Sequence, residues 1–146
     1  MQKSKVAETG EYDLNQFTRL VDEKYQLEVN RILDQATFEQ GENEKKYALE
    51  KQARMDALAD EYRDLKKGAE GNATEIAKID KNYATAKEKL TEQEKLIYAD
   101  LVNENKILSK EATDEAEALE KSRIDFTKST NDDLLNAQKE YLKSKE

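Results

Sequence analysis

The chain contains no cysteine and no histidine, and these two absences remove much of the usual catalytic chemistry. Cysteine supplies the commonest thiolate nucleophile and histidine the commonest general base, and both residues are favoured ligands of transition metals. A helical di-iron site with a Glu-x-x-His motif is therefore excluded. Together with the lack of a glycine-rich phosphate loop, these absences predict that the protein is not an enzyme and has no cofactor, metal site or small-molecule substrate.

Long apolar runs are also missing. No run approaches the roughly 20 residues that cross a bilayer, and Met1–Lys5 precede no apolar signal region. The sequence therefore predicts a soluble protein without a membrane span.

Proline is absent and only four of the 146 residues are glycine, so few positions can interrupt a helix. The chain is 40% charged and 36% hydrophobic, which leaves too little apolar material for a thick globular core. Such a composition is also compatible with disorder, but seven tyrosines, three phenylalanines and regularly spaced leucines and isoleucines favour long helices.

Acidic residues outnumber basic residues by 33 to 25, giving a net charge of −8. Nucleic acid binding requires clustered lysine and arginine, whereas here these residues alternate with acids along the whole chain. We therefore expect no nucleic acid partner. The carboxylate pairs Asp114–Glu115 and Asp132–Asp133 should be solvated on exposed helices, so we expect no catalytic or calcium-binding role for them.

One clear turn signal, residues 68–72 (GAEGN), divides the chain into two predicted helices. After a flexible segment of residues 1–12, Asp13 is predicted to cap a first helix that begins near Leu14. That helix should end at Lys67, with Gly68 in the left-handed conformation that commonly follows a helix. Polar residues around Gly41 predict a soft spot within it.

The second predicted helix covers about residues 73–128. Asn72 should act as its N-cap, with Glu75 reciprocating in a capping box. A second group of capping residues, Ser129–Asp133, marks a fainter boundary. The amphipathic extension 129–146 beyond it either continues the second helix or folds back.

Apolar residues recur along one side of each predicted helix. The first helix shows an eleven-residue period as far as Ala36 and a seven-residue period from Met55, and the second helix shows the two periods in reverse order. The polar residues Gln93, Glu104 and Glu115 interrupt this seam, where they either specify register or are simply tolerated. The predicted seam residues are Leu14, Phe17, Val21, Ile32, Met55, Leu58, Tyr62, Leu65, Ile76, Ile79, Tyr83, Leu90, Ile97, Leu101, Leu108, Leu119, Phe126, Leu134 and Tyr141.

Folding the two helices back about Glu70 places stretches of equal period opposite each other. This arrangement pairs Ile79 with Tyr62, and Tyr83 with Leu58. The predicted fold is therefore all-α: a long antiparallel helical hairpin or coiled coil with a C-terminal helical extension.

The segment Gly71–Tyr83 (GNATEIAKIDKNY), with its shorter echo Val21–Tyr25 (VDEKY), resembles the helical repeats of bacteriophage tail tape-measure proteins and related internal virion proteins. The resemblance covers about a third of the chain. It implies a non-catalytic role in tail or capsid assembly, or in ejection with the genome, and a location in the virion or the cytoplasm.

Two functions fit these observations. The first is a structural coiled-coil protein that forms homo-oligomers or packs on another helical protein, because a lone helix pair buries only a narrow apolar stripe. The alternative is an adaptor or chaperone-like module whose arms or C-terminal segment hold a partner protein.

Overall fold

The computed structural model describes the chain from residue 10 to residue 145, and its side chains from residue 15 to residue 145. These residues form two helices, α1 Gly10–Gly68 and α2 Ala73–Ser144, and none of them lies in a β-strand. The two helices pack against each other, for example through the rings of Tyr62 and Tyr83. The prediction of an all-α helical hairpin is therefore confirmed. Over the described residues, neither helix has a segment apolar enough to cross a bilayer.

The helix packing divides into two compact units. The central unit is Thr37–Leu108, and the terminal unit consists, within the described chain, of residues 10–36 and 109–145. Each helix contributes one segment to each unit, so each unit contains an antiparallel pair of helices.

The start of α1 differs from the prediction. The helix begins at Gly10 rather than near Leu14, so Asp13 lies inside it and is not the N-cap. No proline lies between these positions to oppose helix formation. Of the segment predicted to be flexible, residues 10–12 are helical and residues 1–9 lie outside the described chain. The helix also continues through Gly41, since one glycine costs a helix only about 1 kcal/mol.

The turn lies where it was predicted, but a different glycine carries the left-handed conformation. Gly68 is the last residue of α1, whereas Gly71 has a φ of +82°. The backbone N–H of Ala69 donates to the Lys66 carbonyl oxygen at 3.1 Å, which closes the last turn of α1. The reversal of chain direction therefore comes after Gly68 and depends on Gly71.

The cap of α2 is formed by one side chain. The Asn72 Oδ1 atom accepts a hydrogen bond from the backbone N–H of Glu75 at 3.1 Å, which confirms Asn72 as the N-cap. The reciprocal half of the predicted capping box is replaced, since the Asn72 N–H donates to the Ala69 carbonyl oxygen at 3.0 Å. The preceding turn thus satisfies the donor that the Glu75 side chain was expected to bind.

The boundary predicted at Ser129–Asp133 does not interrupt α2, which continues to Ser144. Of the two arrangements left open for the extension, the structure has the continuous helix. The capping residues there lie inside a helix that has neither proline nor glycine beyond them to end it. Leu134 and Tyr141 are exposed in this segment.

Replacing each turn glycine by alanine tests which of the two positions requires the left-handed conformation. We expect Gly71→Ala to lower the free energy of unfolding by about 1–2 kcal/mol, because an alanine Cβ is strained at positive φ. Gly68→Ala is the matched control: it lies in the helix, and a Cβ at either position meets no atom within 4 Å. It should raise the free energy of unfolding by up to about 1 kcal/mol. Urea unfolding followed by circular dichroism measures both; a larger loss in Gly68→Ala would contradict this account.

Candidate functional site

In the central unit, the α1 residues that face α2 follow the eleven-residue period. Steps of three, four and four residues give this period of about 3.67 residues per step. The sequence predicted seven-residue spacing from Met55 onward, but Met55 and Leu65 are 43% and 48% exposed. Arg54, rather than Met55, faces α2 at this level. The half-buried α1 positions in this phase are Gln40, Asn43, Tyr47, Arg54, Leu58 and Tyr62.

The α2 side of the central unit begins with seven-residue spacing, as predicted, and changes to eleven-residue spacing after Leu90 rather than after Ile97. As a result Gln93 and Glu104 are exposed, and the next residues along, Glu94 and Asn105, face α1. In the terminal unit Glu115 is likewise exposed while Ala116 is half-buried. The three polar residues predicted to interrupt the seam therefore lie beside it.

The structure distributes the predicted seam residues over three levels of exposure. The side chain of Leu14 lies outside the described side chains. Those that are buried are Val21, Ile32, Ile79 and Leu101. Those that are half-buried are Phe17, Leu58, Tyr62, Ile76, Tyr83, Leu90, Leu108 and Leu119. Those that are exposed are Met55, Leu65, Ile97, Phe126, Leu134 and Tyr141.

The central feature of the candidate site is a charged pair in the seam. The Glu94 carboxylate is only 5% exposed and accepts two hydrogen bonds from Arg54, from Nε at 2.5 Å and from Nη2 at 3.0 Å. The hydrogen bonds from Arg54 lower the pKa of Glu94, although its burial acts in the opposite direction. The same hydrogen bonds raise the pKa of Arg54. Both groups are therefore charged at neutral pH and compensate each other.

Two tyrosines complete this layer. The hydroxyl of Tyr47 donates to the Glu94 backbone carbonyl oxygen at 3.4 Å, and its ring lies 5.5 Å from the ring of Tyr98. Burial, followed by the effect of Glu94, raises the pKa of Tyr47. This tyrosine therefore stays protonated and acts as a hydrogen-bond donor between the helices.

A second polar layer lies further from the turn. The Asn43 Nδ2 atom donates to Asn105 Oδ1 at 3.3 Å, and Gln40 Nε2 donates to the Asn105 backbone carbonyl oxygen at 3.2 Å. Both contacts join α1 to α2 at Asn105, so they depend on the observed alignment of the two helices. Polar pairs of this kind specify register in coiled coils.

The observed register differs from the predicted one by about one helical turn. Tyr62 lies against Tyr83, with ring centroids 5.1 Å apart, whereas the prediction paired Tyr62 with Ile79 and Tyr83 with Leu58. Near the turn, the Lys66 ammonium lies 2.5 Å from the Asp80 carboxylate in the same alignment. The polar and aromatic pairs thus occur in a register that the apolar spacing alone did not predict.

The central unit also has an open groove of about 520 Å³ beside the charged pair. Apolar and aromatic side chains form its floor, and three lysines lie around it. The lining residues include Tyr47, Lys51, Met55, Leu58, Tyr83, Lys87, Leu90, Glu94, Lys95 and Tyr98. Arg54 neutralises Glu94, and Lys95 is paired with the exposed Glu92 at 3.1 Å, so Lys51 and Lys87 make the groove locally basic although the whole chain is acidic.

In the terminal unit, the helices meet through an aromatic pair and an ion pair. The rings of Phe17 and Phe126 lie 6.0 Å apart, although Phe126 is still 48% exposed. Arg123 Nη1 donates to Asp22 Oδ1 at 2.7 Å. Hydrogen bonds to Glu120 and then to Asp22 raise the pKa of Arg123.

A cluster of aliphatic side chains forms the core of the terminal unit. Ile32, Ala36 and Ala112 are buried together, with Leu119 packed against them.

Among the described residues, no group of three or more acidic side chains is placed to hold a metal ion.

Sequence reasoning missed Arg54, Glu94 and Asn105 because it followed apolar residues. A usable signal was present: extending the eleven-residue period beyond Ala36 leads directly to Asn43, Tyr47 and Arg54. A polar residue that falls in phase with such a period is a candidate for a buried polar layer.

Comparison with protein families, curated proteins and solved structures gave no match for this chain.

The charged pair predicts an acid-dependent loss of stability. In the unfolded chain the pKa of Glu94 returns to its ordinary value of 4.5, so the lower folded pKa stabilises the folded state above that pH. This contribution is lost as the pH falls through the folded pKa. We expect the wild-type unfolding free energy to fall more steeply below about pH 4.5 than that of Glu94→Gln. Urea titrations at several pH values measure this difference.

The control is Glu104→Gln, which removes an exposed carboxylate from the same helix. Its pH dependence should follow the wild type. Equal acid sensitivity in Glu94→Gln and the wild type would show that the charged pair does not couple folding to pH.

Proposed function

We propose that this protein is a non-enzymatic structural coiled-coil protein that acts by helix–helix association with further copies or with other helical proteins. The observation that carries the proposal is the amount of large apolar surface left exposed on a helix pair. Leu27, Leu49 and Leu96 are 70%, 74% and 70% exposed. These side chains are left uncovered by the helix that packs against their own.

The energetics of a two-helix unit support the same proposal. Among the described residues, no large side chain is fully buried, and each helix buries one narrow stripe. Hydrophobic burial contributes about 25 cal/mol per Å², while ordering costs about 1–2 kcal/mol per residue. Contacts with further helices would bury additional apolar area without ordering the backbone again.

The context we propose is a bacteriophage virion, in the tail, inside the capsid or during assembly. The support is the resemblance of Gly71–Tyr83 to tape-measure and internal virion repeats, together with a fold that consists of two long helices. The absence of histidine and cysteine supports a mechanical role over a catalytic one. Tail and capsid genes next to the gene for this chain would strengthen this context.

The alternative is an adaptor that binds a partner protein, and the groove of the central unit favours it. Its apolar floor would accept the apolar face of a helix, and Lys51, Lys87 and Lys95 would favour acidic residues on that helix.

Deletion of residues 130–146 distinguishes an adaptor that uses its C-terminal segment, because partner binding would be lost while helicity and self-association persist.

Sedimentation equilibrium tests the main proposal. At micromolar concentration we expect a mass above the 16.8 kDa of one chain, rising with concentration, and helicity that falls on dilution. Helix–helix association predicts both changes because the contacts that stabilise the helices lie partly between chains. A fully helical monomer whose unfolding midpoint does not depend on concentration would overturn the proposal.

A further inference from the structure

The outer face of α1 in the central unit carries a second, exposed apolar line. Phe38 and Leu49 are 62% and 74% exposed, and they are eleven residues apart, or about three helical turns. Lys45 lies on the same face, seven residues after Phe38 and four before Leu49. We call Phe38, Lys45 and Leu49 the α1 outer face.

The outer face of α2 in the same unit carries the same pattern in reverse. Leu96 and Ile107 are 70% and 48% exposed and are again eleven residues apart. Asp100 lies on this face, four residues after Leu96 and seven before Ile107. We call Leu96, Asp100 and Ile107 the α2 outer face.

The two outer faces match residue by residue when their helices run antiparallel. Within one copy, the contact of Tyr47 with Tyr98 sets the two residues at the same level along the seam. Because the helices are antiparallel, residues that are displaced equally from Tyr47 and Tyr98, in opposite directions along the chain, lie at the same level. This rule gives three further pairs on the outer faces. These pairs are Leu49 with Leu96, Lys45 with Asp100, and Phe38 with Ile107.

We propose that the α1 outer face of one copy packs antiparallel against the α2 outer face of a second copy, in the same register as the seam inside each chain. This rests on the proposed function of helix–helix association and names its partner and surface. Each level then pairs compatible groups: an ion pair between Lys45 and Asp100, with one apolar contact on either side of it.

Two observations favour a second copy over an unrelated helix. First, the faces share the eleven-residue period, so both lines stay in contact along nearly straight helices. Second, Lys45 of one face lies at the level of Asp100 on the other, while Glu42, which also lies on the α1 line, falls opposite the uncharged Asn103, so the charges of the two faces are complementary. Lys45 is available for this role, since its present ion pair with Glu42 is exposed and 3.6 Å long.

The contact is heterologous, because it joins two different faces. Each copy retains one unused outer face after binding a neighbour through the other. Association therefore continues from copy to copy, and it closes only if successive rotations form a ring.

Charge reversal tests the proposal in the full chain. We expect Lys45→Glu and Asp100→Lys each to weaken association about fivefold, because an attractive pair becomes a repulsive one. An equimolar mixture of the two variants should associate more tightly than either variant alone. In the mixture, an unaltered Lys45 can meet an unaltered Asp100, and the two reversed residues can also meet each other. Each of these interfaces again contains one acid and one base. Sedimentation at fixed salt measures the association constants.

The control for Lys45→Glu is Lys46→Glu. Lys46 is the adjacent lysine, about 100° around the helix, and like Lys45 it has one exposed ion pair, with Glu50 at 3.9 Å. It should associate like the wild type. Equal weakening by the two variants would show a general charge effect and overturn the proposed face.

The absence of cysteine permits a direct test of which faces meet. Chains carrying Leu49→Cys and chains carrying Leu96→Cys are oxidised separately and as a mixture. The proposal expects disulfide-linked dimers mainly in the mixture, since the introduced thiol at position 49 of one chain would meet the introduced thiol at position 96 of the next. Links in either variant alone, at a yield equal to the mixture, would indicate that like faces meet and would overturn the proposal.

The outcomes separate this inference from the proposed function. If the wild type associates but neither charge reversal nor cross-linking identifies these faces, the inference fails and helix association stands. If the wild type is a stable helical monomer, both fail.

Discussion

A helix pair has a single seam, and that constraint governs both units of this protein. Each helix can bury only the stripe that faces its neighbour, so the contacts between the two helices of a unit fall in one repeating set of positions. The set follows an eleven-residue period over most of its length, which suits helices that cross with little supercoil. Polar residues that fall in phase are drawn into the seam, and apolar residues that fall out of phase remain exposed.

The polar layers follow from this constraint. Glu94 lies in the seam because its position along α2 matches the eleven-residue period. Its charge is tolerated there because Arg54 donates two hydrogen bonds to it. Removing one partner of such a pair leaves a charge without compensation, so an alignment that separated Arg54 from Glu94 would be destabilised. The Asn43–Asn105 contact acts in the same way at its own level. The seam thus obtains cohesion from apolar residues and alignment from polar ones.

The apolar residues left outside the seam connect the fold to its proposed role. Leu49 and Leu96 are exposed on the helix pair, and each lies eleven residues from a second exposed apolar residue, Phe38 or Ile107. A sequence that repeats one period on two sides of each helix is suited to extended assemblies, in which every helix packs on neighbours both within and between chains. The groove beside Glu94 adds a second, locally basic surface to the same unit.

The sequence by itself determined the fold class, the turn at residues 68–72, the Asn72 cap and the buried positions Val21, Ile32, Ile79 and Leu101. These depend on short-range chemistry and local apolar spacing, which can be read directly from neighbouring residues. Only the tertiary structure decided the register, the choice of Gly71 for the left-handed position, and the inclusion of Arg54, Glu94 and Asn105 in the seam. Those features depend on pairing across distant parts of the chain. Apolar spacing is compatible with alignments about one turn apart, and the observed alignment is the one that pairs polar residues across the seam, a feature that specifies register in coiled coils.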